Sequence, residues 1–428
     1  MVESALLGEP IRRWLGAPKG ALFEEAAQIV SILRRAGFAA YLVGGSIRDM
    51  LLGEPPKDYD VATSAKPEET EAWFRKPRYH TADVGREFGT IMVVRDGLTF
   101  EVTTFRAEGR YEDGRRPTEV TFDGVDVRED VKRRDFTING LLYDPIAEEV
   151  LDYVGGIEDL DRKCLRTIGD PYARFSEDRL RMLRAVRFVG RLNFTMDQAT
   201  FEAIRSMAHR IVEVSVERIQ QELTRMLTGL YPCLAVRLLE ETGLFVHILP
   251  NTSPDPLRLL RFQSFEDSAY RDISMALATL LSHEPLERAE QGLRHLRFSN
   301  PEIRETLDLL AGVRLLPSLG EMGIAEQKRF LRRPLMQKIL ELARILVKAE
   351  GFPEAPIVLA QDQLSLWDEQ ALSPPRLLDG NALKRLGYRS GPRFKEILLA
   401  LEDAQLTGEI CDESSALSWL ERSYPREE

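Results

Sequence analysis

The apolar run Ala39-Ala40-Tyr41-Leu42-Val43 stops at Gly44-Gly45, continues as Ser46-Ile47-Arg48-Asp49, and is followed nine residues later by Asp58-Tyr59-Asp60. The run reads as a buried strand, the glycines end it, and Ser46 is placed to cap a following helix. Two adjacent glycines let backbone N–H groups approach a phosphate, and a helix start favours negative charge. Arg48 adds a fixed cation. Asp58-Tyr59-Asp60-Val61-Ala62-Thr63 also reads as a strand, whose period of two points both carboxylates to one face. Paired hard oxygens beside a phosphate cradle are what Mg²⁺-dependent nucleotide chemistry requires. A glycine pair or an Asp-x-Asp alone is commonplace. Their order, strand, glycines, helix and acidic strand, is what constrains the chain.

The chain has 428 residues, enough for three or four domains of ordinary size, and 43% hydrophobic residues, enough to bury real cores. Its three cysteines, Cys164, Cys233 and Cys411, form neither a zinc spacing nor a disulfide framework, which suits a reducing cytoplasm. Met1 to Leu7 lacks a charged-then-apolar signal pattern, and no apolar run approaches membrane-helix length, so no membrane association is expected. The net charge of −11 argues against a generally sticky nucleic-acid binder. Asp161 to Arg225 nevertheless holds 13 Lys or Arg against 9 Asp or Glu. Charge alone fits a local grip on a phosphate-bearing partner and an ordinary solvated helical surface equally.

Residues 22–36 read as an amphipathic helix closed by Gly37. Gly89–Val94 and Leu98–Phe105, joined by Arg95-Asp96-Gly97, read as a hairpin. Its second strand puts Phe100 and Val102 on one face and Thr99, Glu101 and Thr103 on the other. Glu101 is thus a candidate third carboxylate or a solvated strand residue, and alternation does not choose between them. Arg106–Glu119 is polar and reads as an exposed loop. Strand signals stop after Gly155-Gly156, and from Pro171 to about Gly408 the pattern is helical, with looser joints at 251–256 and 351–356.

Together, Gly44-Gly45-Ser46-Ile47-Arg48-Asp49, Asp58-Tyr59-Asp60, Arg133-Arg134-Asp135-Phe136-Thr137-Ile138-Asn139, Asp152 through Gly155-Gly156 to Leu160, Glu177-Asp178-Arg179-Leu180-Arg181 and Glu217-Arg218-Ile219 follow a familiar order. The chain resembles bacterial-type class II tRNA nucleotidyltransferases, the CCA-adding enzymes and their poly(A) polymerase relatives. The resemblance is strong over residues 38–227 and weaker to Ile410. It implies an α+β protein: a mixed-sheet nucleotidyltransferase head (1–160), then an all-helical neck for base recognition (161–227), body (228–350) and tail (351–428), the last two binding tRNA.

The resemblance also implies roles. Asp58 and Asp60 would hold two Mg²⁺ or Mn²⁺ ions, and Glu101, if its polar strand face meets them, is the candidate third catalytic carboxylate. Gly44, Gly45 and Arg48 would cradle the triphosphate, while Arg134, Asp135 and Asn139 would lie at the ribose. Asp178 and Arg181 would read the base, supported by Arg184, Glu217 and Arg218. Arg106, Tyr111, Asp113, Arg115 and Arg116 would belong to a flexible loop found in full CCA enzymes. The implied partners are tRNA, CTP and ATP, with monomer and homodimer both open.

Base reading has its own physical argument. Met182, Ala185, Val186 and Val189 follow i, i+3, i+4, i+7 and mark a buried helix face. Asp178 and Arg181 edge that face three apart, as a simple helix salt bridge or as paired acceptor and donor in a cleft. Cytosine and adenine both present an exocyclic amine beside a ring acceptor, whereas uracil and guanine present a carbonyl and a ring N–H. The alternatives to full CCA addition are A-addition alone, then poly(A) synthesis, and a catalytically silent RNA-binding scaffold. The five histidines form no metal-hydrolase pattern, and no GxxxxGK[ST] loop is present.

Overall fold

The computed structural model describes residues 9–16, 18, 20–108, 120–389 and 391–425. The chain divides into two compact units, residues 1–250 and 251–428. The first carries the sheet, with strands β1 (Ile11–Trp14), β2 (Ala40–Val43), β3 (Asp60–Thr63), β4 (His80–Gly85), β5 (Thr90–Arg95) and β6 (Leu98–Thr104). A short pair, β7 (Ala107–Glu108) and β8 (Val120–Thr121), precedes β9 (Leu142–Asp144) and β10 (Glu149–Asp152). Eight strands form one mixed sheet in the order β1-β10-β9-β2-β3-β6-β5-β4, in which only β3 and β6 pair in parallel.

The helix Ala21–Arg35 buries Phe23, Ala26, Ile29, Val30 and Leu33, a single stripe at helical spacing. Gly37, at φ 91°, ends that segment in a conformation that disfavours a side chain. β5 and β6 close through Asp96 (φ 50°) and Gly97 (φ 81°), a two-residue turn with both φ positive, as a right-twisted hairpin prefers. Phe100 and Val102 are buried and Glu101 exposed, as the alternation requires.

Pairing in the middle of the sheet assembles the functional end. Val43 pairs with Asp60, so the glycines leaving β2 meet the aspartates entering β3. Val43 also pairs with Leu142, and Gly44 N–H donates to the Leu141 carbonyl at 3.3 Å, which brings residues 133–141 alongside. β6 lies on the other side of β3, with Val61 opposite Val102, and sets Glu101 next to Asp60.

Among the described residues, the regular structure after β10 is helical apart from one two-residue parallel pair, Cys164–Leu165 with Thr195–Met196, which carries no hydrophobic alternation long enough to read in sequence. Two expected details differ. Strand pairing begins at Asp60, leaving Asp58 in the approach segment. Ser46 lies inside the helix Gly45–Leu51, and its hydroxyl donates to the Val43 carbonyl at 3.1 Å; Gly44 occupies the capping position. In the second unit, the chain from Leu377 to Tyr424 has its own small core around Leu383, Ile397, Leu401 and Leu420. Among the described residues, no helix is long and apolar enough to cross a membrane.

Candidate active site

A cleft of about 530 Å³ opens within the first unit beside the glycine turn. Gly44, Gly45, Arg48, Asp58, Asp60, Arg134, Asp135, Asn139, Asp178, Arg181, Arg184 and Arg218 all line it. Segments as far apart in sequence as β2 and the helix Val216–Leu227 thus converge. Nine arginine or lysine side chains face five aspartates there, an excess of positive charge suited to a polyphosphate. Glu101 lines a smaller cleft of about 240 Å³ that shares Asp60, Arg133 and Arg134 with the larger one and also contains Arg106. Glu217 lines neither. Tyr111, Asp113, Arg115 and Arg116 lie outside the described residues.

Backbone conformation favours glycine at position 44, and close packing of Arg48 favours it at position 45. Gly44 adopts φ 81°, and a Cβ there would come within 3.5 Å of Arg134 Nη1 and 4.0 Å of Asp60 Oδ2. A Cβ on Gly45 would stand 3.3 Å from Arg48 Nη2. Arg48 is 2% exposed and engaged: Nε and Nη2 donate to Asp49 Oδ1, and Nη1 donates to Asn139 Oδ1 at 2.6 Å.

Asn139 passes the contact on, its Nδ2 donating to Asp135 Oδ1 at 3.0 Å. Asp135 also accepts from the Phe136 N–H at 2.8 Å and from Arg184 Nε and Nη2 at 2.8 and 2.5 Å. Burial opposes ionisation of Asp135, but Arg184 and Asn139 outweigh it and hold the carboxyl down to about 2. Four donors already occupy its two oxygens, about the full lone-pair capacity of a carboxylate.

Asp60 moves the other way. Burial, then Glu101 and Asp58, push its carboxyl up to about 6, while Arg134 counteracts. Arg134 Nη2 donates to Asp130 Oδ2 at 3.0 Å, and its buried Nε has no hydrogen-bond partner among the described residues. Arg134 Nη1, beside the glycine turn, sets a positive charge next to the crowded carboxylates, which suits an anionic substrate together with a cation. No three His, Cys, Asp or Glu side chains among the described residues form a ready-made cage. Asp58 and Asp60 nonetheless fit Mg²⁺, which is usually bound through one or two carboxylates plus substrate phosphates and water.

Asp178 and Arg181 do not form the expected helix pair. The helix Pro171–Glu177 ends before Asp178, which adopts extended backbone, and the next helix spans Leu180–Leu192. The Asp178 side chain accepts from Leu180 N–H at 3.1 Å and is held by Arg218 in a fork. Arg181 instead donates to Glu177 at 2.5 Å and to the carbonyls of Arg174 and Arg133. Glu177, one position earlier, is the closer helical neighbour by geometry at i,i+4.

Three cleft residues on the 180–192 helix went unread in the sequence: Arg187, Phe188 and Arg191. Their signal was a second stripe. Arg181, Arg184, Arg187 and Arg191 recur at three- and four-residue steps, offset from the buried Met182, Ala185, Val186 and Val189. Phe188 lies under the guanidiniums of Arg187, Arg48 and Arg184, at 4.3, 5.2 and 5.6 Å from the ring centroid. Glu222, 3% exposed, binds Arg187 at 2.5 Å from the same helix as Arg218, four residues on. Lys57 and Arg133 also line the cleft.

This sheet and cleft are those of a nucleotidyltransferase. The family described as poly A polymerase head domain matches residues 40–166, and that described as the probable RNA and SrmB-binding site of polymerase A matches residues 193–255. The CCA-adding enzyme of Anoxybacillus flavithermus is 35% identical over 410 residues, covering 95% of this chain and 98% of that protein. That of Geobacillus stearothermophilus is 36% identical over 421 residues, again covering 95% and 98%. The crystal structure of the Bacillus stearothermophilus CCA-adding enzyme in complex with CTP aligns with a TM-score of 0.74 at 31% identity, over 94% of this chain and 98% of that one. The chain belongs to the CCA-adding enzyme family and is a tRNA nucleotidyltransferase.

Proposed function

We propose that this protein adds CMP, CMP and then AMP, from CTP and ATP, to the 3′ ends of tRNA without a nucleic-acid template. The observation that carries the reading is the single cleft in which the glycine turn, Asp58 and Asp60, Arg134 and Asp135, and Asp178 with Arg218 meet. Relatives named CCA-adding enzymes match nearly the full chain, and one was solved with CTP. Residues 161–227 would then act as the base-reading neck, and 228–350 and 351–428 as the body and tail that hold tRNA.

The triphosphate would lie against the N–H groups of Gly45 and Ser46, where the glycine turn starts the helix, with Arg134 Nη1, the guanidinium nitrogen beside Gly44, as a further donor. Arg48, braced by Asp49 and Asn139, supports that turn from beneath. Divalent ions held by Asp58 and Asp60 would make the RNA 3′-hydroxyl a better nucleophile and stabilise departing pyrophosphate. Glu101 adds negative charge beside Asp60 and so favours cation binding. Asp178 Oδ2 accepts from Arg218 Nη2 at 2.8 Å, and the second lone pair of a carboxylate oxygen leaves acceptor capacity for an exocyclic amine. Arg181, steadied by Glu177, would offer the donor for the ring nitrogen. Uracil or guanine would set carbonyl against carboxylate and leave buried groups unpaired, costing about 1–3 kcal/mol per group. Positioning and charge neutralisation, rather than covalent chemistry, would supply the acceleration.

The test offers three tRNAs, lacking CCA, lacking only the terminal A, or complete, with CTP and ATP separately and together. Full CCA addition gives three-, one- and zero-nucleotide extensions with both nucleotides present. Extension only of the A-lacking tRNA, and only by ATP, replaces the reading with A-addition. Long A tracts on any RNA end replace it with poly(A) synthesis.

A further inference from the structure

Beneath the junction of the two clefts lies Asp130, 1% exposed, on the short helix Val127–Lys132. Its Oδ1 accepts from Arg133 Nε at 2.9 Å and from the Arg106 backbone N–H at 3.4 Å; its Oδ2 accepts from Arg134 Nη2 at 3.0 Å. Burial alone would raise its carboxyl, but Arg134 and Arg133 outweigh burial and hold it below the ordinary range. Nothing about Asp130 touches either cleft directly. Its two side-chain partners, however, line both clefts, and Arg106 lines the smaller one.

The three contacts join separate parts of the site. Arg134 stands over Gly44 and beside Asp60. Arg133 offers its carbonyl to Arg181, on the base-reading side. Arg106 follows β6, which carries Glu101, and precedes the β7–β8 pair. A charged acceptor at this point also decides where the Arg134 guanidinium goes. With Asp130 ionised, Nη2 is drawn off Asp60; with Asp130 neutral, the crowded carboxylates of Asp60 and Asp58 become the stronger attraction.

We propose that Asp130 is a positioning residue for nucleotidyl transfer: it holds Arg133 and Arg134 at the junction of the clefts and ties the Arg106 backbone, just after β6, to them. The inference rests on the reading of the larger cleft as the nucleotide site. Asp130 acts through the arginines, so its loss should disturb the reacting geometry more than the binding of CTP.

The experiment compares the parent with Asp130→Asn, which keeps shape and removes charge. Single-turnover CMP transfer to tRNA should slow about tenfold to a hundredfold, as for a displacement of about 1 Å. The CTP dissociation constant, measured by calorimetry, should change less than about threefold, and Asp130→Glu should recover part of the rate. In an Arg133→Gln/Arg134→Gln background, slower but measurable over longer times, Asp130→Asn should cost under about twofold, because positions acting through one another are not additive. A parental rate for Asp130→Asn, the same loss in the double background, or a melting point more than about 10 °C lower overturns the inference, the last by making Asp130 a structural brace. A parent that transfers no nucleotide fails the functional reading instead, so the two failures are distinct.

Discussion

Asp178 and Arg218, forty positions apart in sequence, form a forked ion pair, with Nη2 to Oδ2 at 2.8 Å and Nη1 to Oδ1 at 3.3 Å. The pair fixes the carboxylate of the proposed base reader from a second helix, while Arg181 is fixed by Glu177. Acceptor and donor are therefore braced separately rather than by each other.

Arg218→Gln should consequently loosen base choice without emptying the site. The ratio of kcat/KM for CTP and ATP over UTP and GTP should fall about tenfold to a hundredfold, the loss of one or two well-placed hydrogen bonds. Asp178→Ala should act in the same direction. Incorporation assays with each nucleotide alone measure it, and unchanged discrimination in both variants removes Asp178 from base reading.

Asp58→Asn and Asp60→Asn should each lower transfer by about a thousandfold or more, because each removes a hard anionic ligand from the proposed ion site. Folding and tRNA affinity should be retained. Rapid-quench transfer at saturating Mg²⁺, beside a tRNA gel-shift, separates the two effects.

The raised carboxyl of Asp60 has a pH signature. Its folded value of about 6 lies above the ordinary 3.8, so the folded state binds this proton more tightly than the unfolded chain. The contribution of Asp60 to stability therefore falls as pH rises through roughly 4 to 6 and stays unfavourable above that. Without metal at pH 7.5, Asp60→Asn should melt above the parent, and the gap should close below about pH 4. Transfer by the parent should weaken as pH drops through about 6, with the midpoint moving down as Mg²⁺ increases. Melting curves and kcat/KM profiles across pH 3.5 to 8 test both.

Asp135 behaves oppositely. Its folded value of about 2 is depressed, so its stabilisation is present above the ordinary carboxylate range and is lost as pH falls through about 2. Asp135→Asn should destabilise at pH 7 by about 2–4 kcal/mol, because it leaves the Arg184 charge without its buried partner. Urea unfolding reads the change. An Arg184→Gln partner variant should recover part of it, the signature of one coupled pair.

Between Glu108 and Val120 the chain leaves and re-enters the paired strands β7 and β8. Shortening this connection should spare CC addition and stall products before the terminal A. Under the proposed reaction one pocket would accept two bases of different size, and a connection that leaves the chain next to Arg106 would supply a lever for that change. Gel-resolved product lengths on tRNA lacking CCA decide it; completion at the parental rate leaves the segment a connector.

The elements that read correctly were those with short-range causes. β2, the glycine turn, the hairpin around Asp96-Gly97 and the helix ended by Gly37 follow from alternation, 3.6-residue spacing and backbone conformations that glycine tolerates. The Gly-Gly, Asp-x-Asp and Arg-Arg-Asp motifs, which the structure brings to one cleft, stood out because each packs its polar groups into a few consecutive residues. The arginine stripe from Arg181 to Arg191 was equally periodic, but an exposed helical face has the same pattern, and only Phe188 and Asp135 distinguish it as cleft.

Partner choice was not legible. A helical period states which side of a helix a residue occupies, not which element faces it, so Asp178 looked like a partner for Arg181 three residues away. The end of the helix before Asp178 and the packing of the helix Val216–Leu227 gave it Arg218 instead. The same limit hid Glu222 behind its neighbour Glu217, and Asp130 beneath Arg133 and Arg134. Local chemistry along the chain determined the strands, the turns and the residue types able to hold phosphate and metal. The tertiary structure alone decided which charges neutralise one another, because that depends on distances between segments that sequence separation does not encode.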